Sequence, residues 1–168
     1  MQITVLRGAR RARWLVALSL SLAGLLAGTN VAAGAGPPFQ ASGSFVQTSF
    51  VQSNTRSADG VTLFDFTEHD TLVGTFSGTS VIQGSCVVPP SGQGVCHAFE
   101  TFTGTVAGES GTARFSDVIF LDLTTGALHG SFTVVGGTGG LASLHGHGTF
   151  QATAGAPGTY TGRLVFAP

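Results

Sequence analysis

The chain has 168 residues, a length typical of a single domain. Hydrophobic residues make up 42% of it and charged residues only 9%. This excludes a coiled coil, a charged disordered tail and a nucleic-acid-binding protein, because each of these needs many charges. Four of the seven basic residues, all arginines, lie in the first thirteen positions. The rest of the chain is therefore acidic, and we do not expect it to bind a polyanion.

Residues 1–35 have the layout of a secretory signal peptide. A cluster of arginines precedes the apolar run Trp14–Leu26, and small residues suited to cleavage follow as far as Ala33 and Ala35. The alternative, a transmembrane anchor, needs roughly 20 apolar residues, and this run is shorter. We predict cleavage near Ala33 or Ala35, so that residues 36–168 form one secreted domain without a membrane span.

The only two cysteines, Cys86 and Cys96, flank a turn-forming Pro-Pro-Ser-Gly-Gln-Gly segment. If this turn joins two antiparallel strands symmetrically, the cysteines stand opposite each other at a distance that a disulfide can bridge. An oxidising compartment makes a disulfide the default state of such a pair. The alternatives are a metal site, which needs more ligands, and a catalytic thiol pair, which usually has two intervening residues.

After residue 36 the chain has the pattern of an all-β protein, with runs rich in Val, Ile, Phe and Thr separated by turn-forming residues. The predicted strands are 40–53, 62–76, 79–88, 94–106, 111–122, 127–135, 144–153 and 158–167. The short connectors leave no room for crossover helices, so the sheet is antiparallel. Closure into an eight-stranded up-and-down barrel removes the exposed edges and leaves space for packed side chains or one small ligand. A two-sheet sandwich is the alternative.

Alternation along the strands predicts which side chains face the interior. The first strand shows no clear inward set, but the later strands do. The predicted inward residues are Phe66, Phe102, Phe115, Phe132, Leu164 and Phe166, of which the first five are the predicted ligand contacts. The predicted outward residues are Thr101, Thr103, Thr133, Thr161 and Arg163.

Four segments together resemble a known family. They are LVGTFSGT at 72–79, FETFTGTVAGESG at 99–111, VGGTGGLASLHGHGTF at 135–150 and YTGRLVF at 160–166. Their order is similar to that in an uncharacterised bacterial secreted family with the allene oxide cyclase-like barrel, a fold shared with dirigent proteins. The resemblance covers roughly residues 41–167. It implies an apolar barrel interior and the cyclisation or isomerisation of a small hydrophobic substrate. Asp117 stands where that family tends to carry histidine.

Two carboxyl groups are the predicted catalytic pair. A hairpin turn at Gly108-Glu109 would place Glu100 directly opposite Asp117 inside the barrel. Two such groups in a low dielectric cannot both ionise cheaply, so one holds a proton and the pair supplies an acid and a base. Tyr160, the only tyrosine, also faces inward and is the predicted hydrogen-bond donor to either carboxylate. The alternative is that these three residues are structural, with the tyrosine filling the core.

Further acidic residues share the inward face, since Glu68 and Asp70 have the same parity as the apolar residues of their strand. They are expected to extend an acidic rim or to bind a cation together with Glu100. His145 and His147 are expected on the surface rather than at a metal. The chain has no calcium loop, zinc motif or nucleophile elbow, so no metal or cofactor is predicted.

Three functions remain as alternatives from the sequence. The first is a secreted cyclase or isomerase, and the second is a non-catalytic protein that binds a small hydrophobic molecule. Both need a cavity in the barrel. The third is a dirigent-like structural protein with a filled interior. The expected partner is a small hydrophobic molecule, not a nucleic acid.

Overall fold

The computed structural model describes residues 36–167 and shows eight antiparallel strands closed into a barrel. The strands are β1 (Phe39–Ala58), β2 (Val61–Gly74), β3 (Phe76–Val88), β4 (Gln93–Val106), β5 (Glu109–Asp122), β6 (Ala127–Gly139), β7 (Leu144–Thr153) and β8 (Gly158–Phe166). Each strand pairs with the next, and β8 pairs with β1. The predicted up-and-down barrel is confirmed. The predicted signal peptide, residues 1–35, lies outside the described residues.

Within residues 36–167 there is no helix long and apolar enough to cross a membrane. Two of the hairpins close with two-residue turns, and the chain uses positive φ angles there. Asp59 and Gly60 between β1 and β2 have φ angles of 52° and 79°. Two consecutive positive φ angles are the mark of the turn type whose twist matches paired strands.

The turn between β4 and β5 is formed by Ala107 and Gly108, with φ angles of 51° and 94°. It pairs Val106 with Glu109, whereas the predicted turn lay one residue later. The register therefore differs from the prediction by two residues. Because strand faces repeat every two residues, this shift changes the partners across the hairpin but leaves each side chain on its predicted face.

The ambiguity of the first strand has a structural cause, a bulge at Thr48. The pairing shifts there, so that Gln47 faces Asp70 and Phe50 faces Glu68. The inward set is odd-numbered before the bulge and even-numbered at Phe50 and Gln52, and a second register shift follows between Ser53 and Arg56, so no single alternation describes the strand. The Thr48 hydroxyl donates a hydrogen bond to the carbonyl oxygen of His69 at 2.9 Å, which holds the bulge in place.

A one-residue bend at Thr75 joins β2 to β3, in place of the predicted connector Ser77-Gly78. The Tyr160 hydroxyl accepts a hydrogen bond from the backbone N–H of Phe76 at 2.9 Å. A Cβ atom at Gly43 would collide with this hydroxyl. The tyrosine therefore fastens the bend to the barrel wall, and only glycine leaves room for it.

Two apolar clusters fill most of the interior. One lies toward the barrel end where β2 bends into β3, and its fully buried members include Phe102, Leu141, Leu144 and Leu164. The other surrounds Phe66, Ile82 and the cysteine pair. Of the predicted inward residues, five are buried, and Phe166 is half-buried and stacked on Phe39. All five residues predicted to face outward are exposed.

The predicted disulfide between Cys86 and Cys96 is present. The two residues are direct partners across the β3–β4 ladder, and their Cα atoms are 4.0 Å apart. Both side chains face inward and are buried. The bond closes a short hairpin loop, for which the chain-entropy model gives about 2–3 kcal/mol of stabilisation.

The alternation of faces predicts opposite effects for two adjacent residues of β4. Phe102 is fully buried and Thr101 is exposed. We expect Phe102→Ala to lower the free energy of unfolding by about 3–5 kcal/mol, because it leaves a cavity in the core. Thr101→Ala is the control and should cost less than about 0.5 kcal/mol. Urea unfolding followed by circular dichroism measures both, and equal effects would contradict the register.

Candidate functional site

The barrel encloses a cavity of about 190 Å³ between the two apolar clusters. Its wall is largely apolar, with eight aromatic rings contributed by seven strands. These are Phe45, Phe50, Phe66, Phe76, Phe115, Phe132, Phe150 and Tyr160. The Phe76, Phe115 and Phe132 rings contact one another edge to face, with centroids 5.5 to 6.1 Å apart. The wall is therefore rigid and apolar, as small-molecule sites generally are.

Small residues next to the large rings create this space. Across β2–β5, the row of paired residues runs Phe66, Gly84, Ala98 and Asp117. A Cβ atom at Gly84 would lie 2.9 Å from the Phe66 ring, so the ring occupies the place of a side chain at that glycine. Because the rings lie flat over small neighbours, the centre of the barrel stays open.

Four acidic side chains line one part of the cavity, and we call them the carboxyl cluster: Glu68 and Asp70 on β2, Glu100 on β4 and Asp117 on β5. All four face inward, as their predicted parity requires. The predicted direct pairing of Glu100 with Asp117 is wrong. Glu100 is opposite Phe115, and Asp117 is opposite Ala98, because the turn at Ala107-Gly108 shifts the register. The two acids are diagonal neighbours on one face of the sheet. Residues in this relation on adjacent antiparallel strands are roughly 7–8 Å apart.

Glu100 stands at the centre of the carboxyl cluster. It accepts a short hydrogen bond from the Ser80 hydroxyl, which comes from the intervening strand β3. Burial raises the pKa of Glu100 to about 7, although the bond from Ser80 works in the opposite direction. The negative charge of Glu68 adds to the rise. Glu100 is therefore close to half-protonated at neutral pH.

The other cluster members also hold protons more tightly than usual. Burial raises the pKa of Asp70 to about 8, and the neighbouring Glu68 and Glu100 add to the effect. Burial likewise raises the pKa of Asp117 to about 8, with a further contribution from Glu100. Burial raises the pKa of Glu68, while hydrogen bonds from Gln47 and Asp70 oppose the rise. The cavity wall thus carries both acids and bases near pH 7.

Two carboxyl oxygens of the cluster have no protein partner. Asp70 is 6% exposed and Asp117 is 3% exposed, and in each case Oδ1 lacks a hydrogen bond. Buried polar atoms are nearly always hydrogen-bonded, since an unpaired one costs about 1–3 kcal/mol. Both residues line the cavity. Two residues of the cavity wall thus each keep a buried carboxyl oxygen that no protein group satisfies.

No basic side chain of the described residues enters the interior. The three arginines and five histidines between residues 36 and 167 are exposed and have outward parity. His145 and His147 are on the outer face of β7, as predicted. Among residues 36–167 no group of three or more His, Cys, Asp or Glu side chains is placed to hold a metal ion. The carboxyl cluster is therefore unbalanced by any protein cation.

The predicted role of Tyr160 as donor to a carboxylate is wrong. Its side chain faces inward and lines the cavity, but its hydroxyl is bonded at the β2–β3 bend. The carbonyl oxygens of Val73 and Phe76 lie 3.4 Å from the same hydroxyl. Burial raises the pKa of Tyr160, so the hydroxyl stays protonated. Tyr160 therefore has the structural role that the sequence analysis gave as the alternative.

The predicted ligand contacts divide into two groups. Phe66, Phe115 and Phe132 line the cavity, whereas Phe102 and Leu164 are buried in the core away from it. Sequence reasoning missed several lining residues, namely Phe45, Gln47, Phe50, Phe76 and Phe150. It also missed Ser80, the hydrogen-bond donor to Glu100. Two of these residues could have been identified from the sequence, because Phe76 and Phe150 have the inward parity of their strands. Phe50 could not, because the bulge at Thr48 changes the parity of its strand.

These features define a class: a small closed antiparallel barrel with a largely apolar cavity and an acidic cluster on its wall. The chain belongs to a family described as "Protein of unknown function (DUF3224)", whose model matches residues 41–164. A crystal structure of a family member of unknown function from Shewanella oneidensis MR-1 is similar, with a TM-score of 0.66 and 19% sequence identity. The similarity covers 79% of this chain and 100% of that chain. No curated protein matches this chain.

The raised pKa values predict that the protein is more stable in mild acid than in mild base. The pKa of Asp117 is about 8 in the folded state and ordinarily 3.8. The folded protein therefore keeps a proton that the unfolded chain releases above about pH 4, so the free energy of unfolding falls between about pH 4 and 8. Each pKa unit corresponds to about 1.4 kcal/mol, and the cluster should together give a fall of several kcal/mol.

We expect Asp117→Asn to reduce this pH dependence and to stabilise the protein at pH 8 by roughly 1–3 kcal/mol, because the amide has no charge to desolvate. Asp122→Asn, at the end of the same strand, is the control. Hydrogen bonds from Thr124 lower the pKa of Asp122, so its substitution should leave the slope between pH 4 and 8 unchanged. Unfolding in urea at several pH values tests both, and a slope that Asp117→Asn leaves unchanged would refute the burial of this charge.

Proposed function

We propose that the barrel binds one small, largely apolar molecule in its cavity, with a polar group of that molecule at the carboxyl cluster. The observation that carries this proposal is the pair of unpartnered, buried Oδ1 atoms of Asp70 and Asp117, two residues of the cavity wall. A hydrogen-bonding group on a ligand would satisfy them, and the surrounding rings would bury the rest of the ligand. The cavity disfavours the dirigent-like structural alternative, which expects a filled interior.

The size of the cavity limits the ligand. About 190 Å³ exceeds the roughly 150 Å³ of an apolar cavity known to hold benzene, but it is below the 300 Å³ typical of sites for drug-sized molecules. A molecule with one ring and a short chain fits this volume. The predicted signal peptide and the disulfide both support binding outside the cytoplasm.

Phenylethanol is a suitable neutral probe, since it has one ring and one hydroxyl. We expect calorimetry to show binding to the wild-type protein and loss of binding, about tenfold or more, in Ile119→Phe, which fills the cavity. Val118→Phe is the matched control. It lies next to Ile119 on β5 with the opposite parity, so its larger ring would project away from the cavity. Binding that survives Ile119→Phe, or no binding at all, would count against the cavity as a ligand site.

A second proposed function is catalysis, as the resemblance to allene oxide cyclase-like barrels implies. The observation that favours it is the presence of carboxyl groups with pKa values of about 7 and 8 on one cavity wall. At neutral pH one such group is ionised and accepts a proton, while another is protonated and donates one. An isomerisation needs no more: the base removes a proton beside a carbonyl group, and the acid returns a proton at the far end of the shifted double bond.

A β,γ-unsaturated cyclic ketone small enough for the cavity tests this function, because its conjugated product absorbs in the ultraviolet. If Glu100 is the base, Glu100→Gln should remove the activity while the protein still binds phenylethanol. Asp65→Asn is the control, since Asp65 is paired with Ser85 and Asn54 away from the cavity and should keep full activity. Equal rates in the wild-type protein and Glu100→Gln would leave binding as the function.

A further inference from the structure

We propose that the ligand is an organic cation, a small lipophilic amine whose ammonium group lies against the carboxyl cluster. This inference rests on the proposed binding function and names the chemical class of the ligand. The cluster places four carboxyl groups on one wall of a small cavity, and two of them have a buried oxygen without a partner. An ammonium group supplies three N–H donors and a positive charge to such a wall.

The interior lacks any charge that could balance these acids. The titratable groups that face the cavity are Glu68, Asp70, Glu100, Asp117 and Tyr160. Within the described residues every arginine and histidine has outward parity and is exposed. A ligand that brings its own positive charge therefore meets no opposing cation, whereas an anionic ligand is repelled by every carboxyl group that is ionised.

The aromatic wall selects an organic cation over a metal ion. A divalent metal needs several oxygen or nitrogen ligands around it, and no suitable group of three side chains occurs in residues 36–167. The rings of Phe76, Phe115 and Phe132 enclose the same cavity. Aromatic rings attract alkylammonium groups through their faces and bury the apolar part of the ligand. A compact amine with one ring can place its ammonium group against the carboxyl cluster and its ring against the aromatic side chains.

Proton linkage gives the proposal a distinctive signature. Binding of an ammonium group favours the ionised carboxylates, so it expels the protons that the cluster holds near neutral pH. Alkylamines stay protonated up to roughly pH 10. Affinity for the amine should therefore rise between pH 5 and 8, and binding should release protons to the buffer. A neutral ligand that accepts hydrogen bonds from the protonated acids would show the reverse trend.

Three probes of matched shape separate the possibilities: phenylethylamine, phenylethanol and phenylacetate. Calorimetry on the mature domain at pH 5 and pH 8, in two buffers of different ionisation enthalpy, measures both affinity and proton release. We expect the amine to bind about tenfold more tightly than the alcohol at pH 8, a preference that shrinks at pH 5, and the carboxylate to bind most weakly. The double variant Asp70→Asn/Asp117→Asn should remove the preference for the amine, while Asp65→Asn/Asp122→Asn should keep it.

The outcomes distinguish this inference from the proposed function. If the alcohol binds in the cavity and the amine binds no more tightly at pH 8, the inference is overturned and the binding function stands. The same holds if the amine preference survives Asp70→Asn/Asp117→Asn, because the carboxyl cluster is then not the recognition element. If none of the three probes binds, both proposals fail. Since the wild-type pH series needs no variant to fold, the test remains decisive.

Discussion

The closed ring of backbone hydrogen bonds is the constraint on which the rest of this structure depends. Each strand pairs on both sides, so alternate side chains of all eight strands must point into one interior. The position of a residue along its strand therefore decides whether its side chain, be it a ring, a small group or an acid, faces the interior. Large rings beside Gly84 and Ala98 leave a cavity rather than a solid core. The cavity is therefore a direct product of the pairing register.

The carboxyl cluster is costly within this ring. Desolvation raises the pKa values of Asp70, Glu100 and Asp117 into the neutral range, and no inward cation offsets it in the described part of the chain. An interior chosen only for stability would replace such groups with apolar residues. The disulfide on the cavity wall and the tightly packed apolar cluster that contains Phe102 stabilise the protein and so offset this cost. Local destabilisation of this kind is characteristic of functional sites.

The family to which this chain belongs has no known function, so what its members share is the fold. A function has to be inferred from the cavity. The similarity to the Shewanella oneidensis protein at 19% identity concerns the fold alone. In this chain the acids occur on β2, β4 and β5. Ile82 of β3 pairs with Glu68 on one side and with Glu100 on the other, and Ser80 pairs with Asp70. A ligand's polar group at that place would contact residues distant in sequence. This arrangement couples proton binding to barrel stability.

The amino-acid sequence by itself determined the all-β class, the eight strands, the inward faces of most of them and the cysteine pair, because these follow from local alternation and turn-forming residues. It also placed Glu100 and Asp117 on one face. The tertiary structure decided their partners, since the turn at Ala107-Gly108 sets the register and a two-residue shift leaves alternation unchanged. It also decided which rings border the cavity: the bulge at Thr48 changes the parity that brings Phe50 there, Phe76 also borders it, and Phe102 lies in the core. Those distances depend on all eight strands closing together, which no single segment encodes.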